Sequence, residues 1–204
     1  MSQEAEDPLP LVIVLTGPSG VGKDAVIDRA IERGYPIVRP ATMTTRAPRS
    51  GEQEAIHHYF SADRDDFMAH VAAGDLLEYA EVYGNLYGVP RQSVRDALST
   101  GNHVLVRVDV QGAEALRDVL PGALFVAVEP VSLDALRTHL EARNTEDAEQ
   151  IERRLAIAQA EIERARRFCT PLVNVEGDLD ATVDRLMELV ATERCRPGRQ
   201  PQTV

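Results

Sequence analysis

The sequence predicts an α/β domain in which a parallel sheet is flanked by helices, with an inserted lobe of mixed strands and a helical lid. Three features of the 204 residues predict it. Apolar runs at 11–16, 103–110, 123–128 and 171–175 alternate with helical patterns, as parallel strands joined by crossover helices require. The first run passes through a glycine-rich turn, GPSGVGK (17–23), into a helical stripe. Residues 35–90 break the alternation with short strand-like pieces, Pro and Gly, as an insertion between core elements does.

Taken in order, LVIVLT (11–16) is apolar and rich in β-branched residues, the mark of a buried parallel strand. In DAVIDRAIERG, Ala25, Val26, Ile27, Ala30 and Ile31 share one helical stripe, and Gly34 stops it. SADRDDFMAHVAAGD (61–75) predicts a short helix ending at Gly74, and LLEYAEVYGNLYGVP (76–90) mixes aromatics with turn signals. RQSVRDALSTG is a helix with Gly101 as its stop, NHVLVRVDVQG (102–112) carries a strand, AEALRDVL is a helix, and ALFVAVEP (123–130) is a strand. SLDALRTHLEARN and AEQIERRLAIAQAEIERARRF are amphipathic helices around a polar turn, and PLVNV (171–175) is a last short strand. DLDATVDRLMELVATER closes the domain as a helix opened by an Asp cap. The expected domain spans 11–194: core 11–34, 91–131 and 168–194, lobe 35–90, lid 132–167. The polar, proline-bearing ends, 1–10 and 195–204, are expected to be disordered tails.

Composition narrows the function. A formal charge of −11 argues against broad nucleic-acid binding, so any anion must be met by positive charge gathered locally. Cys169 and Cys195 have no metal-ligand spacing. The absence of a signal peptide and of an apolar span of about 18 residues predicts a cytoplasmic protein with no membrane partner, monomeric or homodimeric. His57 and His58 are adjacent, and adjacent strand residues face opposite ways, which argues against a metal pair.

The glycine turn fits a phosphate cradle. Gly17, Gly22 and Lys23 match G-x-x-x-x-G-K between a strand and a helix, where main-chain N–H groups turn inward at a helix N-terminus and favour anions. Lys23 is the only lysine in the chain. Asp24 stands where such loops carry Ser or Thr. At 4 Å and an effective dielectric near 20, a carboxylate facing a phosphate costs on the order of 4 kcal/mol. The expectation is therefore that a magnesium ion screens Asp24 from the nucleotide, making binding unusually magnesium-dependent.

Further along, TTRAPRSGE (44–52) sets Arg46 and Arg49 among hydroxyls, a pairing that suits a second phosphate or, more plainly, a solvated basic turn. Glu78 and Tyr87 lie in one segment. A carboxylate can accept paired hydrogen bonds from N1–H and the 2-amino group of guanine, and adenine offers no such pair; a surface charge and a core ring are the alternatives. Arg143 and Arg154, on two helices joined by a turn, converge if those helices fold back on each other. Arginines so placed can stabilise phosphoryl transfer by roughly 10³–10⁵ in rate, or can simply pair with neighbouring glutamates.

In the order GPSGVGK, TTRAPRSGE, LLEYAEVYGNLYGVP, VDVQGA, EARNTED and ERRLAIAQAEI, the chain resembles the guanylate kinases over roughly residues 11–190. The resemblance implies a P-loop kinase fold, ATP and GMP as substrates, magnesium with the ATP, and direct in-line transfer. It implies that Gly17, Pro18, Ser19, Gly20, Val21, Gly22, Lys23 and Asp24 wrap the ATP phosphates and that Asn174 lies on the adenine side. Thr42, Arg46, Arg49 and Tyr87 would hold the GMP phosphate and Glu78 would select guanine. Asp109 would organise magnesium or its waters beside the GMP, with Asp24 as the other candidate ligand. Lys23, Arg143 and Arg154 would act on the transferred group.

Four positions depart from the family pattern. Asp24 replaces a hydroxyl, His58 falls on a common tyrosine, Arg107 replaces the first carboxylate of D-x-D, and His139 replaces a common arginine. As a phosphate contact, His58 would make GMP binding weaken as pH rises through its pKa. Asp24 also keeps open a resemblance to ribose 1,5-bisphosphate phosphokinases, which need no guanine reader. A third alternative is a silent binding module on the same fold.

Overall fold

A computed structural model describes residues 9–48, 51–55, 58–61, 63–82, 84–142, 148–199 and 203–204. The first strand, β1 (Val12–Thr16), is buried throughout. Its alternate residues serve two cores. Leu11, Ile13 and Leu15 face α1 (Lys23–Glu32) and α7 (Leu179–Arg194), packing against Val26, Ile27, Val183 and Leu186. Val12 and Val14 face the opposite layer, against Val94 of α3 (Arg91–Ser99) and Ala113 and Leu116 of α4 (Val110–Val119). A strand covered on both faces has no use for polar alternation, which is why its sequence is continuously apolar.

β1 pairs in parallel with β7 (His103–Arg107) on one side and β8 (Leu124–Pro130) on the other. β2 (Ile37–Val38) extends the sheet beyond β7, and β9 (Thr170–Asn174) extends it beyond β8, giving the all-parallel order β2-β7-β1-β8-β9. The carboxyl ends of these strands open on one side, where ligands bind in sheets of this kind.

The second sheet, in the order β4-β3-β6-β5, combines β3 (Thr42–Thr44), β4 (His58–Phe60), β5 (Leu76–Val82) and β6 (Asn85–Pro90). β3 and β4 run parallel, whereas β6 is antiparallel to both β3 and β5. α2 (Arg64–Ala73) covers this sheet and buries Phe67 completely against Met43, Leu76 and Leu86. Asp63 caps that helix by accepting from Asp66 N at 2.9 Å, and Gly74 ends it in the left-handed region. The remaining pair, α5 (Leu133–Ala142) and α6 (Ala148–Ala165), packs through Leu136, Leu140, Ile151, Leu155 and Ala158.

The differences from expectation have physical causes. Ile37–Val38 lie within the expected lobe but pair with β7, so the central sheet gains a fifth strand. The helix expected from Ala113 begins at Val110, because the Asp109 carboxylate accepts from Gly112 N at 2.7 Å and converts the end of an alternating strand pattern into a helix start. The ends are tied down where they are described. Arg199 donates to the main-chain oxygens of Leu9 and Pro10 at 3.1 and 3.0 Å, and Val204 packs against the α3–α4 side of the core. Among the described residues, no helix is long and apolar enough to cross a membrane.

Phe67 holds the small sheet and its helix together. Phe67→Ala should cost about 3–5 kcal/mol, measured as a lowered urea midpoint at unchanged slope. A loss under about 1 kcal/mol would show that α2 packs less tightly on the sheet than described.

Candidate active site

The loop after β1 is shaped by main-chain contacts. Gly17 has φ +135°, and a Cβ there would lie 2.2 Å from the Val128 carbonyl oxygen, so no other residue fits beside β8. Gly22 opens α1 with no side-chain cap, leaving the first N–H groups of the helix directed at the loop. Asn174, from the end of β9, donates to Val21 O at 2.9 Å and accepts from Thr182 Oγ1 at 3.1 Å. Its amide is thus engaged in bracing the loop. A cavity of about 440 Å³ lies alongside, lined by Gly20, Gly22, Ala25, His139, Asn174 and Val175.

Lys23 folds back into this loop. Its Nζ donates to Gly17 O at 2.6 Å and Pro18 O at 2.9 Å. Burial, then the charge of Arg107, bring the ammonium down to about 8, although Glu161, Asp24 and Asp109 act in the other direction. From α6, Arg154 reaches across to donate to Ser19 Oγ at 2.8 Å. The C-terminal part of the same helix is strapped elsewhere: Arg164 to Glu114 on α4, and Arg166 to the buried Glu129 on β8.

Asp24 does not stand unscreened. Arg107 at the end of β7 holds it through two parallel bonds, Nε to Oδ1 at 3.1 Å and Nη2 to Oδ2 at 2.6 Å. Arg39 adds a third at 3.2 Å. Burial would raise the carboxyl, but the Arg107 hydrogen bond and the charges of Arg107, Arg39 and Lys23 prevail and hold it below the ordinary aspartate value. This revises the expectation that a metal ion must do the screening: guanidinium groups of the protein already do it.

A second polar cluster forms on the small sheet. The parallel register sets Thr42 beside His58, with Oγ1 and Nδ1 2.6 Å apart. Arg46 Nη2 donates to both Glu52 oxygens, at 2.8 and 3.1 Å, and Glu52 Oε1 lies 3.8 Å from His58 Nε2. Glu52 and then Tyr87 hold Arg46 above its usual value, so it stays cationic. Arg49 and Arg143 lie outside the described residues.

Between the two clusters sits Glu78 on β5. Its Oε2 is buried and has no hydrogen-bond partner among the described residues. Burial, with the Asp109 charge added, pushes its carboxyl up to about 8. The close neighbour is Gly112 on α4, where a Cβ would come 2.9 Å from that oxygen. Asp109 is within electrostatic reach of both Lys23 and Glu78, so one carboxylate connects the two ends of the site. Half-buried Glu161 of α6 faces Lys23 and Asp109 and is raised chiefly by desolvation.

The structure therefore brings Gly17–Asp24, Asn174, Asp109 and Arg154 together at one end, Thr42, Arg46, His58 and Tyr87 at the other, and Glu78 between. Sequence reasoning missed the Arg107 partnership of Asp24, the Glu52 partnership of Arg46, the approach of Glu161 to Lys23, and the need for glycine at 112. Only the last left a local signal, a glycine at the junction of a strand pattern and a helix.

Comparison with known proteins points to one family. Residues 10–193 match the guanylate kinase family model. Over 191 residues the chain is 36% identical to a guanylate kinase of Desulfitobacterium hafniense, covering 94% of each chain. It is 42% identical over 168 residues to one of Streptomyces coelicolor, covering 82% of this chain and 85% of the relative. The solved guanylate kinase of Anaplasma phagocytophilum superposes with a TM-score of 0.71 at 28% identity, covering 97% of this chain and 92% of that one.

The raised Glu78 carboxyl has a measurable consequence for stability. The folded protein retains a proton that the unfolded chain releases near pH 4.5, so the favourable contribution is complete below that pH and is lost as pH rises through about 8. Glu78→Gln should melt with the wild type at low pH and above it, on the order of 2–4 °C or more, near pH 8. Parallel melting curves across this range would refute a buried, unpaired carboxylate.

Proposed function

This chain belongs to the guanylate kinase family, and from that premise we propose how its residues divide the transfer of a phosphoryl group from ATP to GMP. The protein is an ATP-dependent nucleoside monophosphate kinase. In this reading the 17–24 loop takes the ATP phosphates on its main-chain amides. Lys23 exchanges the Gly17 and Pro18 carbonyls for phosphate oxygens, and the adenine side lies toward the cavity by Asn174. Thr42, Arg46, His58 and Tyr87, with Arg49, take the GMP phosphate, Arg46 leaving Glu52 to do so. In this reading the donor lies on the core, the acceptor on the lobe, and Arg143 and Arg154 on the lid.

The observation that carries the acceptor's identity is the buried, unpartnered Oε2 of Glu78. Such an oxygen has a strong need for donors, and guanine supplies two adjacent N–H groups. A ribose bisphosphate supplies no such pair. The reaction needs no base from the protein. A GMP phosphate oxygen forms a bond to the γ-phosphorus as the bond from that phosphorus to the β–γ bridging oxygen breaks, and ADP leaves. The residues position and stabilise charge, with Lys23 and Arg154 nearest the moving group.

Magnesium belongs to this reading as a companion of ATP. Among the described residues no group of three or more His, Cys, Asp or Glu side chains forms a metal cage. Magnesium needs none, since it is commonly held by one or two carboxylates, water and substrate phosphates. Asp109 fits that part, with one oxygen engaged by Gly112 N; Asp24 would join only by exchanging Arg107. When bound, the ion neutralises phosphate charge.

With ATP and magnesium, GMP should be phosphorylated and AMP, UMP and ribose 1,5-bisphosphate left unchanged in a coupled assay; preferential turnover of the sugar phosphate would overturn this reading. Gly112→Ala should raise KM for GMP about tenfold or more and leave KM for ATP within about threefold, because the added Cβ comes closest to the Glu78 carboxylate, at 2.9 Å, with Val108 Cβ next at 3.1 Å. The value of kcat/KM for ATP should fall as pH rises through about 8, where Lys23 loses its proton. The wild-type to Glu78→Gln ratio of kcat/KM for GMP should rise through the same pH, as Glu78 ionises.

A further inference from the structure

Asp24 and Arg107 are separated by 83 positions, yet the fold presses them together. The parallel register pairs Arg107 with Leu15, two residues before the loop begins, so the last side chain of β7 projects beside the first turn of α1. The two-point contact is the geometry that fixes a guanidinium and a carboxylate most firmly. Both side chains remain about half exposed, 50% for Arg107 and 56% for Asp24. An exposed pair adds little to stability, so the fold itself does not require it. Its position at the mouth of the loop points to the ligand instead. A loop with a hydroxyl at this point carries no charge there; Asp24 and Arg107 together also sum to none. Arg39 lies on the other side of Asp24 but is shared with Asp28 at 3.2 Å, which leaves Arg107 as the two-point partner.

We propose that Arg107 is a positioning residue for the nucleotide loop, holding the Asp24 carboxylate off the donor phosphates so that the two residues act as one neutral unit in place of a hydroxyl. The proposal rests on the reading that the 17–24 loop holds the donor phosphates. Without Arg107, the carboxylate confronts the nucleotide with only the single Arg39 contact, shared with Asp28, and a phosphate-borne cation becomes the main screen. With Asp24 also replaced by a hydroxyl, nothing is left to screen and Arg107 becomes dispensable.

The test is a double-mutant cycle read as affinity for a fluorescent ADP analogue, with magnesium and with excess EDTA. In EDTA, Arg107→Ala should weaken binding about tenfold or more, and magnesium should recover a large part of that loss. The Asp24→Ser/Arg107→Ala protein should bind in EDTA within about threefold of Asp24→Ser alone. An equal loss from Arg107→Ala in both backgrounds, or no loss in either, would overturn the inference, and a loss that magnesium leaves untouched would do the same. Lys23→Ala distinguishes the underlying reading: undiminished ADP binding there would remove the nucleotide from the loop and overturn both together. Thermal melts of each variant separate a folding defect from a binding effect, since the predicted magnesium dependence does not arise from unfolding.

Discussion

β1 is hydrogen-bonded along both edges by parallel neighbours, and that double pairing fixes the groups at the loop end of the site. β8 brings the Val128 carbonyl against Gly17 and so determines how the loop leaves the strand. β7 delivers Arg107 to Asp24 and, two residues later, Asp109 to the start of α4. The strand is buried on both faces, so a slip in register would drive each row of side chains into the wrong core layer and lose the packing on either side of the sheet. The positional accuracy that phosphoryl transfer demands is thus set by hydrophobic packing several residues away from the chemistry.

The electrostatic organisation follows from handling anions with an acidic protein. In the described structure Arg46 rests on Glu52, Arg154 on Ser19 and Lys23 on two carbonyls. In the proposed reading, nucleotide binding amounts to exchange: a phosphate replaces a contact that already exists, rather than meeting bare charge. Such exchange moderates affinity, which suits an enzyme that must release two nucleotide products. Glu78 is the exception. Its buried oxygen has no partner among the described residues to give up, so in the proposed reading a correct base removes a penalty that a wrong base leaves in place.

Much of this was legible in the sequence because it is local. The strand, loop and helix around 11–34 follow from adjacent residues, as does the Asp cap of the closing helix. Glu78 and the 44–52 turn could be picked out by residue type. What was not legible depends on contacts distant in sequence. Ile37–Val38 carry too few residues to show which sheet they join; only their register with His103 and Val104 places them. Asp24 and Arg107 each looked like an isolated departure, because the sheet pairing that makes them partners has no trace in either segment. Asp109 was recognised for its carboxylate, but its second role as a helix cap outweighed the strand pattern leading up to it.

The anchoring of α6 has a mechanical corollary. The helix is clamped near its C-terminal end by Arg164 and Arg166, while Arg154 touches the loop from the other half. Arg154 lies ten residues from Arg164, about 15 Å along the axis. Pivoting about the clamp by roughly 10° would carry Arg154 through roughly 2.5 Å, enough to break or remake a guanidinium contact. A pivot of that size, with its fulcrum on α4 and β8, would convert a small change in angle at one end into the presence or absence of a cation at the other.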